Sequence, residues 1–207
     1  MTNIGKSIRT CAACKENSEH VSMMSTSQDG ADLDFRPRGM MRSTMPYWIQ
    51  CCPSCGYCRG RIDDEPQCNA SLIVNRPSYQ SVLKEKSEIP ELARHFLCAA
   101  EIAQAEVGRN DALIGVLVAA VWVMEDAKVP PVLLYPLYIR AAEVARHRFK
   151  DAIDKVGRAL QAADLYRRAR EFENADEALK SVKPDQDFKP LFEKEAALIE
   201  KKDSGHH

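Results

Sequence analysis

Cys51-Cys52-Pro53-Ser54-Cys55-Gly56-Tyr57-Cys58 is the stretch whose reading decides the fold. Cys52 and Cys55 stand three positions apart, with Pro before the bend and Gly after it. That pattern forms a turn in which the Gly accepts left-handed backbone and nearby amides can bond the sulfurs of a tetrahedral metal site. A second pair, Cys11-Ala12-Ala13-Cys14, lies upstream, with 37 residues between Cys14 and Cys52. Two such turns facing each other make a zinc ribbon holding one structural Zn2+ on Cys11, Cys14, Cys52 and Cys55. Cys51 and Cys58 flank the motif, and Cys55 to Cys58 is itself a Cys-x-x-Cys pair. The register therefore leaves open whether Cys51 or Cys58 replaces a ligand.

Seven of the eight cysteines precede residue 70. Such a distribution implies a small domain too thin to fold unaided, followed by a longer part that needs no staple. The expected division is residues 1–77, a zinc ribbon, and residues 78–203, a helical domain. Residues 204–207 are set aside as a purification-tag remnant. The fold class is thus mainly α, with short β hairpins in the ribbon and an α-helical hairpin stack behind it.

Within the ribbon, Lys15 to Ala31 reads as a polar loop, with His20 a solvated loop histidine. Tyr47-Trp48-Ile49 reads as a strand leading to the second turn, and Cys68 to Val74 as a short strand or docking segment. Helical patterns then run over 78–88, 90–107, 110–128, 131 to about 155, 158–170, 173–182 and 190–202. Pro90 opens one of these, Gly108 closes it, and Pro130-Pro131 forces a break before the fourth. Leu113 to Met124 is apolar around its whole circumference yet too short to span a bilayer, so it is a buried central helix. Ala163, Tyr166 and Ala175 alternate small and bulky residues as tetratricopeptide-like hairpins do, although Arg170 stands where such a turn usually has Gly.

The order of these pieces carries a resemblance. The paired cysteines, Asp32-Leu33-Asp34-Phe35-Arg36-Pro37, the Cys-Pro-Ser-Cys-Gly-Tyr turn, and Leu165-Tyr166-Arg167-Arg168 leading to Phe172 and Ala175 resemble the bacterial domain-of-unknown-function family 2225 over residues 8 to 185. The resemblance implies a zinc ribbon followed by tetratricopeptide-like helices, with no established activity. Cys58 departs from it, standing where a small apolar residue is expected.

A formal charge of -1, nearly balanced on both sides of Pro77, argues against a protein that coats phosphate backbones. With no signal-peptide core and no run of membrane-spanning length, the expected location is cytoplasmic. Four cysteines close a metal site that a catalytic zinc would leave open, and no nucleophile-elbow, phosphate-loop or His-Glu-x-x-His pattern is present. A thioredoxin-type redox motif should open a helix in a strand-helix-strand unit, which is not visible here. His95 and His147 fall within helices and read as packing or surface residues. The function expected is a non-enzymatic adaptor whose helical stack binds a protein or peptide partner through Tyr138, Arg140, Arg167 and Arg168. The alternative is a nucleic-acid-associated protein binding through Arg36, Arg38 and Arg42 with Trp48.

Overall fold

A computed structural model describes residues 2–85, 88–106, 110–147 and 152–207. The chain opens with β1 (Asn3–Thr10) and β2 (Asn17–Ser25), an antiparallel pair in which Ser7 faces His20 and Thr10 faces Asn17. Its second strand, β2, takes the place of much of the polar loop expected over Lys15 to Ala31. Its residues alternate weakly in polarity, but cross-strand bonds compensate: Thr10 Oγ1 donates to Asn17 at 2.7 Å, and Lys6 pairs diagonally with Glu19 at 2.8 Å. His20 is accordingly a buried strand residue, 2.8 Å from Ser18 Oγ, rather than a solvated loop residue.

A 3-10 helix (Gly39–Tyr47) leads to β3 (Gln50–Cys51), which pairs antiparallel with β4 (Cys58–Arg59). Tyr47 and Trp48 are therefore not in a strand. Pro46 withholds the amide a ladder needs, and the Trp48 indole donates to Thr44 Oγ1 at 2.9 Å while packing edge-on against Trp122. The segment after β4 forms a short helix, α1 (Ala70–Val74), where a strand or docking segment was expected; the Asn69 side chain caps it by accepting from the Leu72 amide.

The remaining helices are α2 (Pro77–Lys84), α3 (Glu91–Ala105), α4 (Asn110–Asp126), α5 (Pro131–His147), α6 (Ala152–Arg168), α7 (Phe172–Lys180) and α8 (Lys189–Glu200). Pro90 and Pro131 start α3 and α5 as expected, whereas Gly108, expected to end a helix, lies outside the described residues. Among them, α6 begins six residues before the expected Arg158. Three helices close on a left-handed residue that is not glycine. Lys128, Arg170 and Lys202 take left-handed backbone, and the following amides reach back to Met124, Tyr166 and Leu198, closing the ends of α4, α6 and α8.

The chain groups into two compact units that do not divide at Pro77. Residues 1–30 and 37–129 form the first, so α2, α3 and α4 belong with the cysteine turns. The physical reason is packing. Tyr79 of α2 donates to the Gly56 carbonyl at 2.9 Å, and Arg59 after the second turn pairs with buried Glu106 beyond α3 at 3.1 Å. The apolar α4 lies in this unit, with Leu113, Ile114, Leu117 and Val121 among its buried residues.

Residues 31–36 and 130–207 form the second unit. Here α6 contacts α5, α7 and α8, a cluster about one helix rather than a strictly linear stack in which each hairpin meets only its neighbours. Ala163 and Ala175 are fully buried and Tyr166 nearly so, as the size alternation predicts.

The centre of this second unit is ionic. Arg167 Nε donates to Glu195 and its Nη2 to Asp164, both at 2.6 Å, while Nη1 reaches the carbonyls of Asp203 and Gly205. Arg168 donates to Asp34 at 2.9 Å and Asp164 at 3.1 Å, and its guanidinium lies 4.9 Å from the Tyr138 ring centroid. Burial alone would raise the Asp34 carboxyl, but a His206 contact and the Arg168 charge hold it well below the usual carboxylate range. Removing one member of a buried pair strands the others, at a cost of about 3–5 kcal/mol. Arg167→Met should lose that much in urea unfolding of the full chain, and a loss under about 1 kcal/mol would contradict the network's structural role.

Candidate metal centre

The turn between β1 and β2 is the first cysteine pair, and the turn between β3 and β4 is the second. Their backbones match bond for bond. The Cys11 amide donates to Glu16 and the Lys15 amide to Cys11, each at 2.9 Å; the Cys52 amide donates to Tyr57 at 2.9 Å and the Gly56 amide to Cys52 at 2.8 Å. Gly56 sits at φ 80° and Lys15 at φ 67°, so Lys15 does the work of the glycine the first motif lacks. A left-handed backbone disfavours a side chain by roughly 1–2 kcal/mol, a cost small enough for the rest of the turn to offset. The signal of the first turn thus sits in its backbone and not in a glycine of its sequence.

The same turns aim amides at sulfur. Ala13 and Cys14 bond Cys11, and Ser54 and Cys55 bond Cys52. Burial pushes the Cys11 thiol up. At Cys52 burial pulls the same way, but the amides and the neighbouring thiols outweigh it and lower the pKa. Around this core, the Ala12 amide donates to the Ile62 carbonyl at 2.7 Å, and Arg9 forks onto Asp63 at 2.9 and 3.0 Å. Gln50 bridges Ser22 and the Ile62 amide. None of these supporting residues carries a motif, which is why the sequence alone did not single them out.

The four sulfurs of Cys11, Cys14, Cys52 and Cys55 lie within 4.8 Å of one another and could hold a metal ion. Cys11 faces Cys55 at 3.8 Å and Cys14 faces Cys52 at 3.7 Å. Cys51 and Cys58 are outside this group, which resolves the register in favour of Cys52 and Cys55. A second group, Asp32, Asp34 and His206, also comes within 4.8 Å, so the tail set aside as a tag remnant makes contacts; Asp34 in it is already engaged by Arg168.

The other expected sites are corrected by burial. Arg167, Arg168 and Tyr138 are buried in the ionic centre and cannot present a partner surface; Arg140 is half-buried. The arginine patch is not assembled either. Arg36 is 1% exposed, Arg42 pairs with Asp126 at 3.0 Å, and Trp48 packs on Trp122, leaving Arg38 as the exposed member. Arg36 also groups with the second unit whereas Arg38, Arg42 and Trp48 group with the first. Among the described residues no helix is long and apolar enough to cross a membrane.

No protein-family model matches the chain, and no curated protein or solved structure matches it either.

A Cβ built on Gly56 would press on the end of the Leu83 side chain, in addition to the strain of its φ. Gly56→Ala should weaken metal retention against a chelator, whereas Lys15→Gly should hold or improve it, because the same φ then costs no side-chain clash. Cys52→Ser and Cys55→Ser should each lose the metal, and Cys68→Ser should keep it. Elemental analysis of the purified variants checks the set, and metal retained in Cys55→Ser would refute the ligand assignment.

Proposed function

We propose that the protein is a non-enzymatic, zinc-binding adaptor whose metal is structural and whose surface receives a protein or peptide partner. The sulfur spacing carries the zinc reading. A Zn–S bond of about 2.3 Å places the sulfurs of a tetrahedron about 3.8 Å apart, the spacing of the Cys11–Cys55 and Cys14–Cys52 pairs. Four cysteine thiolates also fill the coordination shell, so the donor set offers no position for a water or substrate and no Lewis-acid role.

Burial of Arg167 and Arg168 moves the adaptor reading onto other residues. On β1, Ile4 and Ile8 are 48% and 76% exposed and alternate on one side with Lys6 between them; the register sets Met23 and Val21 of β2 opposite Ile4 and Lys6 on that side. Val132 at the start of α5 is 71% exposed. Apolar residues held outward on a rigid hairpin and on a helix start support a binding role, since each contact would bury surface worth about 25 cal/mol per Å2.

Metal analysis should give one zinc per chain. Captures of a partner by the full-length protein, followed by cross-linking, should be lost in Ile8→Glu or Arg140→Glu while zinc content and circular dichroism stay unchanged. Capture surviving Ile8→Glu, Val132→Glu and Arg140→Glu alike would overturn the adaptor reading, as would salt-sensitive binding of single-stranded nucleic acid that Arg38→Glu abolishes.

A further inference from the structure

On the side of β3 and β4 away from the ligand Cys52 lies a second set of thiols that the metal centre does not use. Cys51 and Cys58 are direct cross-strand partners. Since the Cys52 amide bonds the Tyr57 carbonyl, the adjoining Cys51/Cys58 pair is of the non-hydrogen-bonded kind. Consistently, the Cys58 amide donates to the Tyr79 hydroxyl at 3.3 Å instead of across the ladder. Residues so opposed have Cα atoms about 4.5 Å apart with side chains projecting together, and a disulfide spans about 4.4–6.8 Å between Cα atoms. Strand alternation turns Cys51 away from Cys52, so a bond from Cys51 to Cys58 does not draw on a metal ligand.

Helix α3 covers this pair with two residues one turn apart. His95 hydrogen-bonds Cys51, and Cys98 hydrogen-bonds Cys58. Access separates the three thiols. Cys58 and Cys98 are 0% exposed, while Cys51 is half-buried beside a His95 side chain that is 22% exposed. Cys51 is thus the thiol that a small aqueous oxidant reaches, with Cys58 placed to resolve it.

We propose that Cys51 and Cys58 are an oxidisable dithiol, a modification site distinct from the four metal-competent cysteines, which a small hydroperoxide converts to a cross-strand disulfide. The Cys51 sulfur attacks a peroxide oxygen; the O–O bond breaks, giving Cys51 sulfenic acid and, with hydrogen peroxide as oxidant, water. The Cys58 sulfur then attacks the Cys51 sulfur; the S–S bond forms, the S–O bond breaks, and a second water leaves with the Cys58 proton. Two thiols lose two electrons and two protons, and the peroxide is reduced to two waters.

The test treats the reduced, full-length protein with stoichiometric hydrogen peroxide and reads intact mass, bound metal and a peptide map. Chymotrypsin cuts after Tyr57 and so separates the two cysteines unless they are linked. The expected product has lost two hydrogen masses, carries a Cys51–Cys58 linked peptide and retains the metal content of the reduced protein. Cys51→Ser, at a half-buried position that tolerates a hydroxyl, should abolish the mass loss, and Cys98→Ser should not. Two results would overturn the assignment: Cys51 and Cys58 remaining open to alkylation while any of Cys11, Cys14, Cys52 and Cys55 become linked and metal is released, or the link forming to Cys98.

Discussion

The first unit depends on two tight turns held in the same backbone conformation and facing each other across four sulfurs. Each turn is closed by its own amide bonds, but nothing in a two-residue strand pair such as β3–β4 would hold it alone in water. A metal ion held by both turns would confine the 37 residues between Cys14 and Cys52, and in the chain-entropy picture a link of that span would be worth about 4 kcal/mol. Metal affinity and folding free energy would then be one quantity, since the unfolded chain offers no preformed site. The Ala12–Ile62 bond and the Arg9–Asp63 fork act on the same geometry from outside, fixing the turns that bring the four sulfurs together.

Helices α2 and α3 continue that arrangement instead of beginning a separate one. Tyr79 donates to the Gly56 carbonyl, which the Cys58 thiol also reaches, and accepts from the Cys58 amide, so the polar groups at the end of the tight turn are paired where they are buried. Leu83 packs its side-chain end into the space left by the missing Gly56 side chain, while the φ of 80° is what calls for glycine there. The apolar α4 then gives the unit the core that a ribbon of this size lacks.

What was legible in the sequence followed from how local each signal is. Cys52-Pro53-Ser54-Cys55-Gly56 announces a metal turn because residue type and backbone coincide; Cys11 to Lys15 builds the same turn with the wrong residue at the left-handed position, so only its spacing spoke. Leu113 to Met124 was readable because apolarity on every side has one outcome in a short helix. A hairpin in the ribbon was readable, but not the extent of β2, because its inward residues Ser22 and His20 are polar and their side is closed by Gln50, which bonds Ser22, and by Asp63, which bonds Arg9, both far along the chain. Arg36, Arg167 and Arg168 failed for the same reason. An arginine announces charge, but whether it meets water or a buried carboxylate is decided by Asp34, Asp164 and Glu195.

Residues 31–36 group with α5–α8 although they lie between two parts of the first unit, and Asp34 bonds Arg168 across 134 residues. Synthesis runs from the N-terminus, so this strip leaves the ribosome long before the helices that take it in. Its acidic side chain must wait in water while both cysteine turns and α1–α4 are made, and the second unit cannot close until α6 arrives. A contact of that span makes completion slow relative to local helix formation. The first unit can finish during elongation, with the strip tethered at both ends as a loop, whereas the second waits for α6 to bring Arg168 to Asp34.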